Sequence, residues 1–92
     1  MPRPRLRRRI GFSPAATCFK PQGIPARDLE TVSLSHDEAE ALRLKDLENL
    51  DQTACAERMH ISQSTFQRTL AAARKKVSEA IISGKALLIE AS

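Results

Sequence analysis

Gln52-Thr-Ala-Cys-Ala-Glu-Arg-Met-His-Ile-Ser-Gln-Ser-Thr-Phe-Gln-Arg-Thr-Leu70 is the stretch on which the fold turns. It reads as a short helix, a tight turn and a second helix. Asp51 can cap a helix from Gln52 to about Met59, and Leu50 with Cys55 occupies the two positions of a hydrophobic staple, which assigns Cys55 to the core. Ala56 falls where the first helix of such a pair approaches the second, a place that calls for a small side chain. His60 stands at a turn position usually filled by Gly, because the chain there becomes left-handed. His is among the non-Gly residues enriched at positive φ, at a cost of about 1 kcal/mol. Ser62 caps the second helix, and Ile61 and Phe66 form its staple.

At 100° per residue, Phe66, Leu70, Ala73, Val77 and Ile81 make one apolar stripe, while Ser64, Arg68, Ala71 and Lys75 lie opposite. The second face is free for a groove. A recognition helix enters the DNA major groove with its first turns, so Gln63, Ser64, Gln67 and Arg68 are placed to read base edges. Gln pairs with adenine N6 and N7, and Arg with guanine O6 and N7. Thr65, Arg74, Lys75 and Lys76 are placed to reach phosphates, which supplies affinity without much sequence preference. An amphipathic hairpin with a polar outer face is also a common core element, and some such units bind protein instead.

Upstream, Ser35-His-Asp-Glu38 is a capping box, so a helix starts there. It runs to about Leu47 and buries Leu42 with some combination of Ala39, Leu44 and Leu47, while Asp37 and Glu38 favour the positive end of its dipole. Ahead of it, residues 10 to 25 are punctuated by Gly and Pro, which rules out a long helix. Ile10 with Phe12, and Val32 with Leu34, alternate as half-buried strands do, and Leu87-Leu88-Ile89 is a third short apolar run. Some of these segments are expected to pair into a small sheet, within one chain or between two, and exposed edges favour a homodimer.

The net charge of +4 hides a partition. Residues 1 to 27 carry seven basic side chains and no acid, the middle from 28 to 59 has nine acids against three bases, and 60 to 92 has five bases against two acids. Arg3, Arg5, Arg7, Arg8 and Arg9 sit among prolines that oppose helix, and they read as an extended arm suited to phosphates or a minor groove. The alternative is a tail that only aids solubility. The three aromatics, all Phe, leave little for the stacking platform of a single-strand binder.

Cys18 and Cys55 stand alone, which suits a reducing cytoplasm. Cys18, Cys55, His36 and His60 are competent metal ligands, but their spacings match no zinc pattern, so no metal and no cofactor are expected. Without a phosphate loop, nucleophile elbow or zincin motif, no enzyme is expected either. No apolar run approaches the length of a membrane span.

Placed in order, MPRPR, RRIGF, FKPQGIP, SHDEAEALRLKDLENLDQ, AERMHISQSTFQR and GKAL closely resemble domain of unknown function 134, a family of predicted DNA-binding proteins, across almost the whole chain. Residues 35 to about 80 also resemble the helix-turn-helix of sigma-factor region four. The resemblance implies a DNA-binding protein, in some relatives beside or fused to a dinitrogenase iron-molybdenum cofactor-binding domain. Ala39 and His60 depart from the more usual Leu and Gly.

The expected architecture is thus a mainly α, sigma region-four-like helix-turn-helix bundle, unrelated to the winged helix, with a basic arm and short β strands near the termini. Residues 1–34 are the arm and extended segment, 35–83 the helix-turn-helix domain and 84–92 a short extended segment. The expected role is sequence-specific duplex DNA binding by a transcription regulator. The rival is an interaction module that uses its acidic middle to dock RNA polymerase or a metal-cluster assembly partner such as the iron-molybdenum cofactor-binding domain.

Overall fold

A computed structural model describes residues 17–90, so Arg3 to Arg9, Ile10 and Phe12 lie outside the described residues. The chain is mainly helical, with a small three-stranded sheet built from segments near its two ends.

The Ser35 capping box forms as the sequence requires. Ser35 Oγ accepts from the Glu38 amide at 3.1 Å, and the Glu38 carboxylate accepts from the Ser35 amide at 2.8 Å. Helix α1 follows as His36–Leu42 and buries Ala39 and Ala41. It then widens into a π-helical turn over Arg43–Leu47. There the Glu48 amide bonds back five residues to the Arg43 carbonyl at 2.9 Å, which turns each following side chain through a smaller angle than an α-helix would. Leu44 is fully buried and Leu47 rotates outward, 79% exposed, so of the three candidates beside Leu42 it is Ala39 and Leu44 that pack inward. Leu42 is half-buried between two apolar clusters. Asn49 ends this segment in the left-handed region at φ 61°.

Asp51 caps α2 (Gln52–Met59) by accepting from the Ala54 amide at 2.8 Å. His60 then takes φ 58° and ψ 43°, the left-handed conformation expected at that turn. Ser62 caps α3 (Gln63–Ser83) through the Thr65 amide at 3.1 Å. Both staples close on one core, where Cys55, Ala56, Phe66 and Leu70 pack with Ala41 and Leu44, and Leu50 and Ile61 lie against them.

A second cluster joins α3 to the sheet through Leu34, Ala39 and Ala73, with Val77, Leu87 and Ile89 packed against it. Strands β1 (Cys18–Phe19), β2 (Thr31–Leu34) and β3 (Ala86–Ile89) lie in the order β1-β3-β2. β3 is antiparallel to β1 and parallel to β2, with Val32 opposite Leu87 and Leu34 opposite Ile89. Gly84 allows the reversal from α3 into β3 by adopting φ 67°, where any other residue would be strained. Val32 and Leu34 are buried and Thr31 and Ser33 exposed, as their alternation requires.

The α3 stripe needs one correction. Phe66, Leu70, Ala73 and Ala80 are buried and Val77 is half-buried, whereas Ile81 is 71% exposed and its neighbour Ile82 83%. The sheet explains this, because β1 has only two residues and Phe19, itself 53% exposed, does not cover the end of the helix. Ile81 instead lines an open groove of about 720 Å³ with Phe19, Val77 and Leu87.

Candidate nucleic-acid interface

The first turns of α3 present Gln63, Ser64, Gln67 and Arg68 together on the exposed side of the helix. The reason is the stripe behind them: Phe66 and Leu70 are drawn into the core, and the helical repeat carries residues 63, 64, 67 and 68 outward. Ala71 and Lys75 continue the same exposed face. All four base-reading candidates are therefore brought together on one surface.

Their side chains are partly oriented by neighbours. The Ser62 hydroxyl lies 3.3 Å from that of Ser64 and 2.9 Å from that of Thr65. Thr65 Oγ1 in turn accepts from Arg68 Nη2 at 3.3 Å. Thr65 is half-buried, and its hydroxyl belongs to the cap and to Arg68. Gln67 Nε2 donates to Gln52 Oε1 at 3.2 Å, a contact between the outer faces of α2 and α3.

The basic residues farther along α3 separate into two kinds. Arg74 grips the Asp46 carboxylate through Nη2 and Nε, and Lys76 Nζ lies 2.8 Å from a Glu38 carboxylate oxygen. Among the described residues Lys75 has no ion pair, and it is exposed. The three are thus not equivalent as candidate phosphate contacts, although the sequence treats them alike. Arg3, Arg5, Arg7, Arg8 and Arg9 lie outside the described residues.

The family described as protein of unknown function DUF134 matches residues 1–92 of this chain. The chain belongs to that family. It is 53% identical over 90 residues to a UPF0251 protein of Halothermothrix orenii, a match that covers 98% of this chain and 67% of that protein. To a UPF0251 protein of Desulforudis audaxviator it is 56% identical over 90 residues, covering 98% of this chain and 59% of the relative. To UPF0251 protein DET0218 of Dehalococcoides mccartyi the identity is 54% over 90 residues, with 98% and 77% covered. The chain spans roughly three fifths to three quarters of the length of these relatives. No solved structure matches.

In this DUF134 member the acidic middle is in part an internal counterweight to α3. Burial raises the Glu38 carboxyl, but the hydrogen bonds from Lys76 and Ser35 outweigh it and hold the group below the usual carboxylate range. The hydrogen bond from Arg74 does the same for Asp46. Near the opposite end, Lys85 pairs with Glu79 at 2.6 Å and Glu30 at 3.2 Å and fastens the start of β3 to the end of α3. Nothing in the one-dimensional pattern links Asp46 with Arg74, 28 residues apart, or Gln52 with Gln67. The signal available was only that each stands on the outer face of its own helix.

Other chemistry gains little from the arrangement. Burial pushes the Cys55 thiol up, away from the thiolate form, and its Sγ lies 3.7 Å from the Leu50 carbonyl. Among the described residues no three His, Cys, Asp or Glu side chains form a group able to hold a metal ion, and no helix is long and apolar enough to cross a membrane.

Proposed function

We propose that this chain binds duplex DNA sequence-specifically, as a cytoplasmic transcription regulator. In this reading α2 and α3 are a sigma region-four-like helix-turn-helix, with the start of α3 in the major groove and the arginine arm on the backbone or in the minor groove. One observation carries it: Gln63, Ser64, Gln67 and Arg68 share an exposed face at the N-terminal end of a helix whose other side is core. These are side chains that can pair with adenine, guanine and phosphate, and Lys75 adds a cation without an ion pair among the described residues.

The rival docking reading would rely on the acidic middle. Glu38 and Asp46 are turned toward α3 instead, which leaves less of that charge for a partner. A shift assay on random duplex DNA, titrated with salt, separates the two. Binding that weakens steeply as salt rises is expected, and no binding even at low salt would exclude the DNA reading. Selection of bound sequences from a random pool then defines the site. A palindrome with half-sites about one helical turn apart would indicate a homodimer.

A further inference from the structure

Gln52 opens α2, one residue after the Asp51 cap, and it contributes nothing to the apolar clusters. Its side chain nonetheless makes the one side-chain hydrogen bond between α2 and α3 among the described residues, accepting from Gln67 Nε2 at 3.2 Å. Everything else that joins these helices is apolar contact through Cys55, Ala56, Phe66 and Leu70, or backbone bonding through the turn. Apolar contact fixes the helix axes but does not decide which way an exposed amide faces.

That decision matters for a Gln that reads a base. Adenine presents an acceptor at N7 and a donor at N6, so a bidentate Gln must place its amide nitrogen toward N7 and its oxygen toward N6. A free Gln amide turns easily about its last torsion, and the terminal sp³–sp² torsion is broad. With one Nε2 hydrogen held by Gln52, Gln67 keeps its second N–H and its whole carbonyl oxygen, which are the two groups adenine needs. The ordering of the side chain is then completed in the free protein rather than at the moment of binding.

We infer that Gln52 is the positioning residue for Gln67, and that it sets the adenine preference at the base pair Gln67 contacts. The inference rests on the DNA reading proposed above. Gln52 acts through Gln67 and not as a base-reading residue itself.

The test uses the full chain with Gln52→Ala, Gln52→Glu, Gln67→Ala and the double variant Gln52→Ala/Gln67→Ala, each put through selection from a random duplex pool and salt-titrated binding. Gln52→Ala is expected to relax preference by about three- to tenfold, the worth of one ordinary hydrogen bond, at the same base pair that Gln67→Ala relaxes. Its salt slope stays at the wild-type value. The double variant is no less selective there than Gln67→Ala alone, and Gln52→Glu, which keeps an acceptor, retains the preference at that pair despite weaker overall binding.

Unchanged preference in Gln52→Ala overturns the inference, as do additive losses in the double variant. So does a uniform loss on all sequences with a shallower salt slope, which would make Gln52 a phosphate contact. A readout without DNA separates this from failure of the DNA reading: the side-chain amide NMR signals of Gln67 in the free protein shift in Gln52→Ala if the bond exists. If those signals shift but wild-type protein binds no duplex, the DNA reading has failed and the specificity role falls with it.

Discussion

Arg74 holds the Asp46 carboxylate through two contacts, Nη2 to Oδ1 at 2.5 Å and Nε to Oδ2 at 3.1 Å, and so ties the middle of α3 to the π-helical turn. A planar guanidinium matches a carboxylate in this forked geometry, which a lysine could not reproduce. Both side chains are about half exposed, 53% and 41%, so solvent screens the pair and it is worth less than about 1 kcal/mol. The Asp46 carboxyl is depressed in the fold, so its contribution is present above the unfolded carboxylate pKa and is lost as pH falls through the lower folded value. Urea titrations of wild type and Asp46→Asn should therefore differ slightly at neutral pH and converge in acid. A difference that persists in acid would assign the effect to something other than the charge.

Glu38 is the larger carboxylate effect. It closes the capping box on Ser35 and also accepts from Lys76, and its side chain is only 12% exposed. Glu38→Ala should cost about 1 to 2 kcal/mol, since it removes one half of the box and leaves the Ser35 amide without its partner. The sign with pH is the same as for Asp46: the folded pKa is lowered, so the stabilisation is full above the ordinary carboxylate range and disappears below it. Glu38→Gln should fall between the two proteins at neutral pH and match wild type in acid.

In the DNA reading proposed above, Arg68 and the cations farther along α3 should behave differently. Arg68→Ala is expected to weaken binding and relax preference at one position, at a cost of about 1 to 3 kcal/mol, while Lys75→Ala weakens all sequences alike and reduces the salt slope by about one. Arg74→Ala should change the slope less than Lys75→Ala, because in the free protein Arg74 is already paired with Asp46. Equal losses on every sequence from Arg68→Ala and Lys75→Ala would contradict the base-reading role proposed for Arg68.

Core position divides the large apolar residues of α3 in the same way. Phe66 is fully buried among Leu44, Cys55 and Leu70, so Phe66→Ala should cost about 3 to 5 kcal/mol in chemical denaturation. Ile82, 83% exposed, should change stability by less than about 0.5 kcal/mol on truncation. A large loss at Ile82 in dilute protein would contradict its placement outside the core.

The elements legible in the sequence are those fixed by neighbours a few residues apart. Ser35 with Glu38, Asp51 with Ala54, Ser62 with Thr65 and the left-handed His60 are all set within one turn of chain, and each forms. Leu47 and Ile81 were not legible in this way, for the opposite reason. The burial of Leu47 depends on whether the helix keeps its pitch, and it widens at Arg43; that of Ile81 depends on how far a two-residue strand reaches across the helix end. The candidate site divides likewise: periodicity places Gln67 and Arg68 on the outer face, but only the packed structure shows that Gln52 holds one and Thr65 the other. Asn49 was readable, since Asn is among the residues that tolerate the left-handed region, though nothing nearby marks it as strongly as the cap marks Asp51.

His60 offers a test of the turn itself. Its φ of 58° places Cβ close to the following carbonyl, a strain that a residue without Cβ does not have. His60→Gly should therefore raise stability by up to about 1 kcal/mol, the gain being reduced by the greater freedom of Gly in the unfolded chain. His60→Ala keeps the strain and should not stabilise. Both variants retain the backbone amide at residue 60 that bonds the end of α2, so the angle between α2 and α3 is preserved. Thermal melts of the three proteins should rank His60→Gly above wild type and His60→Ala at or below it. If His60→Gly melts lower instead, the imidazole contributes more through its surroundings than its backbone strain costs.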